Sequence, residues 1–180
     1  MADAMSEVAN IGVVREEKST FDGATVVTMS RAFLYGEKMM GNSIGLAARW
    51  SNKSPDQVVL IPAHSSSISS GGQAYVNISM IEVNIGGEIS KFDSRGPTMH
   101  DSSSYNTVSR TIYTESKGAV VVPWSYLQKM MAAPDCRIRI HTSAGYEDSI
   151  FSAERIPGGQ GTAKLSLKEF ISRAEAAKAK

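Results

Sequence analysis

Residues 75–93 read Tyr-Val-Asn-Ile-Ser-Met-Ile-Glu-Val-Asn-Ile-Gly-Gly-Glu-Ile-Ser-Lys-Phe-Asp, and the glycine pair governs how they fold. Gly86-Gly87 separates two runs rich in β-branched residues, and two adjacent residues free to take positive φ suit a two-residue primed turn between antiparallel strands. The stretch therefore predicts a hairpin of Tyr75–Ile85 with Glu88–Asp93. Counting outward from the glycines sets its register: Ile85 opposite Glu88, Val83 opposite Ser90, Glu82 opposite Lys91 and Ile81 opposite Phe92. An opposite-charge pair and an apolar pair thus fall in register, each a stabilising cross-strand contact.

Two-residue alternation extends beyond this hairpin in both directions. Upstream, Ile44, Leu46, Ala48 and Trp50 share one face of a predicted strand, with Gly45, Ala47 and Arg49 on the other. Residues 51–56 turn the chain into Val58-Val59-Leu60-Ile61, which lacks alternation and reads as a strand covered on both faces, limited by Pro62. Nearer the N-terminus, Val8, Ile11, Val13 and Val14 suggest a short strand ended by Arg15-Glu16-Glu17-Lys18, and Thr25–Met29 a second one after the Phe21-Asp22-Gly23 turn. Residues 31–43 keep neither period and read as an irregular loop or one short helix.

Downstream, Tyr105–Thr114 is predicted as a strand, with Tyr105 and Tyr113 on one side of it. Cys136, Ile138 and Ile140 alternate against Arg137, Arg139 and His141, and Ser143-Ala144-Gly145 turns that strand into a partner at Tyr146–Ser152. Two polar stretches, His64–Gly72 and residues 94–104, have little side chain to bury and high backbone entropy to lose, so exposed connections are expected.

Helical spacing occurs twice. Trp124, Leu127, Met130 and Met131 recur at three- and four-residue intervals between Pro123 and Pro134, predicting a helix over 123–133. Near the C-terminus, Ser166 with Glu169 fits a capping box, and Leu165 with Phe170 a hydrophobic staple, predicting a helix over 166–178. Few helices among many strands argue against a doubly wound α/β fold. The expected architecture is α+β: a mainly antiparallel curved sheet or β-sandwich with two short helices, one of them C-terminal.

Chain length suits one globular domain over residues 1–180 with a flexible N-terminus at 1–7, since 180 residues with 42% hydrophobic content can enclose a core without disulfides or metals. Cys136 is the sole cysteine, so no internal disulfide forms. Six basic and nine acidic residues in the first half against thirteen and nine in the second make a mild charge dipole. That balance is far from the basic surplus of nucleic-acid binders, and no run is long enough for a transmembrane segment. Residues 1–7 lack a cationic and apolar leader pattern, so the expected location is periplasmic or cell-envelope if a signal peptide has been removed and cytoplasmic otherwise.

Chemistry leaves few candidates. His64, His100 and His141 fall on different predicted elements without metal-ligand spacing, and residues 158–164 lack the ending of a phosphate loop. Neither cofactor nor metal is expected, and Cys136 should pack inward as an apolar thiol. The notable polar feature is Arg137, Arg139 and His141 on one strand face, able to meet a small anionic ligand or an acidic protein partner, or simply to keep a sheet face solvated. Tyr105 and Tyr113 are the second candidate contact pair. The function expected is a non-enzymatic ligand- or protein-binding or structural domain of a bacterial cell envelope. The alternatives are a small hydrolase pairing His64 or His100 with a nearby serine, and a homo-oligomer joined along an exposed strand edge.

Overall fold

A computed structural model describes residues 10–36, 44–70 and 73–179. Their strands run β1 Val14–Lys18, β2 Thr25–Phe33, β3 Ile44–Ser51, β4 Gln57–Ser67, β5 Ile78–Ile85, β6 Glu88–Asp93, β7 Met99–Ser102, β8 Tyr113–Lys117, β9 Val120–Pro123, β10 Cys136–Thr142 and β11 Gly145–Ile150. Two helices, α1 Trp124–Ala132 and α2 Ala163–Lys178, complete the α+β fold, and a 3-10 turn at Ile68–Ser70 follows β4. The strands are antiparallel and curl into a half-barrel, with 49% of the described residues in strand against 17% in helix.

One sheet has the order β1-β2-β3-β4-β8-β7 with β9 continuing beside β4, and the other has the order β11-β10-β5-β6. They meet at two seams. Ser94 bridges Val120 where β6 ends, and Gly36 bridges Ser149 beside β11, reinforced by Arg95 N–H to Ala119 O at 2.6 Å and Ile150 N–H to Tyr35 O at 2.8 Å. Strands on both sides of each seam then turn their apolar faces to the same interior.

That interior follows the alternation. Ile44, Leu46, Ala48 and Trp50 are all buried, facing Val27 and Met29 of β2 and Val58 and Leu60 of β4. Ile81, Val83, Cys136, Ile138 and Ile140 supply the second sheet's side. α1 adds Trp124, Leu127 and Met130 and α2 adds Leu167, Phe170 and Ala174, all in one connected cluster. Trp124 lies between Trp50 and Phe170 with ring centroids 6.2 and 6.5 Å away, and Lys178 Nζ sits 3.9 Å from its ring. A cation over an indole face is attracted by the ring quadrupole, so the last turn of α2 is held to the start of α1.

The Gly86-Gly87 hairpin has the expected register from Ile85↔Glu88 to Ile81↔Phe92, and both glycines have positive φ. Strands 44–51 and 136–142 and the helix after Pro123 also form where expected. Val58–Ile61 differs in that Val59 and Ile61 are only half-buried.

Several expectations are corrected. Arg15–Lys18 does not end the first strand but is most of it: an edge position leaves these side chains in water, where charge is tolerated. Arg31–Phe33, expected in an irregular segment, continues β2. Pro62 does not limit β4, because it sits where the partner bends from β8 into β9; it lends its carbonyl to Gly118 N–H at 3.0 Å. His64–Ser67 is no exposed connection but the paired end of β4, and Met99–Ser102 within the expected 94–104 loop is β7. Ladder partners on neighbouring strands decide such polar segments, whatever their composition. α2 starts at Ala163 with Thr162 at its cap, so Ser166 lies inside the helix rather than at its N-cap. Residues 1–9, 37–43 and 71–72, which bear other expectations including the flexible N-terminus, lie outside the described residues.

Candidate functional site

The outward face of the four-stranded sheet carries the Arg137, Arg139, His141 stripe, because Cys136, Ile138 and Ile140 take the interior. Its neighbours are carboxylates. Arg139 Nε and Nη2 donate to Asp148 Oδ1 and Oδ2 at 2.6 and 2.8 Å, a two-pronged pair that raises the guanidinium pKa. The Tyr146 ring lies 4.0 Å from the Arg139 Cζ. His141 Nε2 is 3.3 Å from Glu82 Oε2, and Lys91 Nζ is 3.0 Å from Glu82 Oε1. These two neighbours hold the Glu82 carboxyl below its ordinary range. In cross-strand order the row reads Asp148, Arg139, Glu82, Lys91, alternating in sign. Arg137 stands 3.7 Å from Asp135, above a shallow depression shared with Asn84 and Ile89. A stripe whose charges are matched within the sheet presents little net attraction to an anion.

Tyr105 and Tyr113 do not share a strand. Between them Asn106 and Thr111 form a bridge closing a turn over 107–110. Asn106 Oδ1 accepts the Val108 and Ser109 N–H groups at 2.9 and 3.0 Å, and Arg110 takes φ 53°. An asparagine that bonds its own following backbone is a turn former, so the predicted strand breaks there. Ser103 N–H to Tyr113 O at 2.9 Å links this turn to the β7–β8 pair. Residues 99–117 thus make one hairpin arm, with Tyr105 on its outgoing limb, Tyr113 at the start of β8 and Val108 at its tip.

The arm joins both polar stretches singled out in the sequence: β8 pairs His64–Ser67 of β4 on one side and Met99–Ser102 on the other. Exposed large apolar residues concentrate here. Val108 is 93% exposed, Tyr105 58%, Met99 57% and Tyr113 46%, and Ile68 and Tyr75 are exposed beside them. Of these, only Tyr105 and Tyr113 stand out in sequence; the signal for Val108 is Asn106, a turn residue inside an otherwise strand-like run.

A histidine and a serine also meet on this arm. His100 Nδ1 lies 3.2 Å from Ser116 Oγ, and the Tyr75 ring packs on His100. Ser116 is 1% exposed and also accepts the Val76 N–H at 3.1 Å. A nucleophile must reach a substrate and be paired with an oriented base. This hydroxyl lies under the 73–76 segment, and among the described residues no carboxylate bonds His100. The contact ties β7 and β8 to that segment. His64 makes no hydrogen bond to a serine among the described residues, and no group of metal-ligating side chains occurs among them. Cys136 is buried, and burial pushes its thiol up to about 12.

The chain matches no family model, no curated protein and no solved structure.

Proposed function

We propose that the protein is a non-enzymatic, protein-binding domain whose contact surface is the β7–β8 arm with the adjoining end of β4. The observation that carries this reading is the gathering of Ile68, Tyr75, Met99, Tyr105, Val108 and Tyr113, all exposed, at one end of the seven-stranded sheet. Contiguous exposed apolar and aromatic side chains mark contact surfaces, and tyrosine is prominent among residues that dominate binding. Rigid presentation supports it too, because the tip is fixed by the Asn106 bonds. The Arg137, Arg139, His141 face is the weaker candidate, since Asp148 and Glu82 already answer its charge.

The test immobilises the domain and compares proteins retained from an extract of its source cells, followed by affinity measurement on whichever partner is retained. The double substitution Tyr105→Ser, Tyr113→Ser should weaken capture about tenfold or more, while Arg137→Ser, Arg139→Ser leaves it unchanged. Undiminished capture by the tyrosine variant, with loss in the arginine variant, reverses the assignment.

A further inference from the structure

We infer that a second copy of this chain pairs with β7, edge to edge and antiparallel about a two-fold axis, so that two seven-stranded sheets become continuous. This rests on the reading that the arm is a contact surface, and names the partner.

The strand edges of the two sheets are guarded unequally. An uncovered edge offers unpaired N–H and C=O groups to another chain, and folded proteins guard against this. β6 and β11 are stitched to the other sheet at the two seams. β1 exposes four charged residues in succession, Arg15, Glu16, Glu17 and Lys18, a guard by charge. β7 has neither device. Among the described residues it pairs with β8 alone, and its one carboxylate, Asp101, is neutralised by Lys117 Nζ at 2.8 Å.

The ladder also says which groups are open. Because the Ser103 N–H bonds Tyr113 O, alternate residues Met99 and Asp101 turn their backbone groups towards β8. His100 and Ser102 therefore point theirs away from it. Antiparallel pairing of β7 with its own copy, His100 opposite Ser102 in both directions, matches these outward groups donor to acceptor. It also keeps side chains on their own faces, as His100 and Ser102 lie on the Ser116 side and Met99 and Asp101 on the other.

Self-complementarity of the ends selects a second copy over an unrelated strand. Met99 stands at one end of β7 and the exposed tyrosines follow its other end, at 105 and 113. A two-fold axis through the strand centre places Met99 of each copy beside Ser103 of the other, whose β8 neighbour is Tyr113. A four-residue ladder is small beside the roughly 1,200–2,000 Å² of a stable interface, so these flanking residues must supply the remaining area. The Asp101 carboxylates meet across the axis, each held by its own Lys117.

Sedimentation velocity on the full chain, from about 1 to about 300 μM, reads the result as mass rising from 19.3 kDa towards twice that value. Ser102→Pro removes an outward N–H that the β7–β8 ladder does not use, and should weaken association about tenfold or more. Asp101→Lys, an added edge charge next to Lys117, should do the same by a different route; circular dichroism establishes that each variant folds. A wild-type chain that stays monomeric throughout overturns the inference, as does a dimer indifferent to both substitutions. A monomer whose partner capture still depends on Tyr105 and Tyr113 sinks this inference alone and leaves the binding reading standing.

Discussion

His64 lies in β4 opposite Ile44 and Ser116, with its Nδ1 buried and without a hydrogen-bond partner among the described residues. Burial disfavours the imidazolium, Arg31 adds to that, and Glu147 partly offsets it, so the pKa lies below the ordinary histidine value. A group whose pKa is depressed by folding contributes stability that is complete above its unfolded value, about 6.5, and is lost as pH falls below it. The melting temperature should therefore fall between about pH 7.5 and about pH 5.5, and His64→Gln should flatten that slope. An unchanged slope in the variant would assign the pH dependence elsewhere. Glu82 acts in a lower window: its depressed carboxyl gives stability above the ordinary glutamate range and surrenders it only as pH falls through and below about 4. The two effects separate on one pH series.

Between β8 and β9, Gly118 is where the partner of β4 bends and where the second sheet begins to pack. A Cβ there would stand 2.8 Å from Ile78 Cγ2 and 3.1 Å from Ile78 Cβ, and Ile78, at the start of β5, is buried. Gly118→Ala should cost about 1–3 kcal/mol by overpacking, read as a lowered urea midpoint; a neutral result would mean the seam yields. Elements with their own punctuation were legible from sequence. Gly86-Gly87 fixed a hairpin and its register, and Cys136–His141 alternated cleanly enough to place each side chain in or out. What failed depended on distant partners: Ser65, Ser66 and Ser67 are strand because β8 lies beside them, and nothing local in a serine run reports that. The candidate site divides in the same way. The arginine stripe is visible as a pattern, but the carboxylates answering it come from β5 and β11, and Tyr105 and Tyr113 are visible as residues while the turn at Asn106 that separates them lies inside a strand-like run.

Across the whole molecule, both sheets and both helices contribute to one connected core, and this predicts cooperative behaviour as a single domain. Trp50 in β3 and Trp124 in α1 report on different elements that touch. In denaturant at concentrations low enough to keep the chain monomeric, tryptophan fluorescence and far-ultraviolet circular dichroism should give coincident transitions. Two separated midpoints would divide the chain into independent units. Phe170 makes the sharper test, because it is fully buried on α2 yet packs against Trp124 of α1. Phe170→Ala should cost about 3–5 kcal/mol and lower both signals' midpoints together. If α2 were an appendage, only the helical signal would weaken. The C-terminal helix closes an interior that the strands alone leave open, so its loss should be felt as far away as the Gly86-Gly87 hairpin.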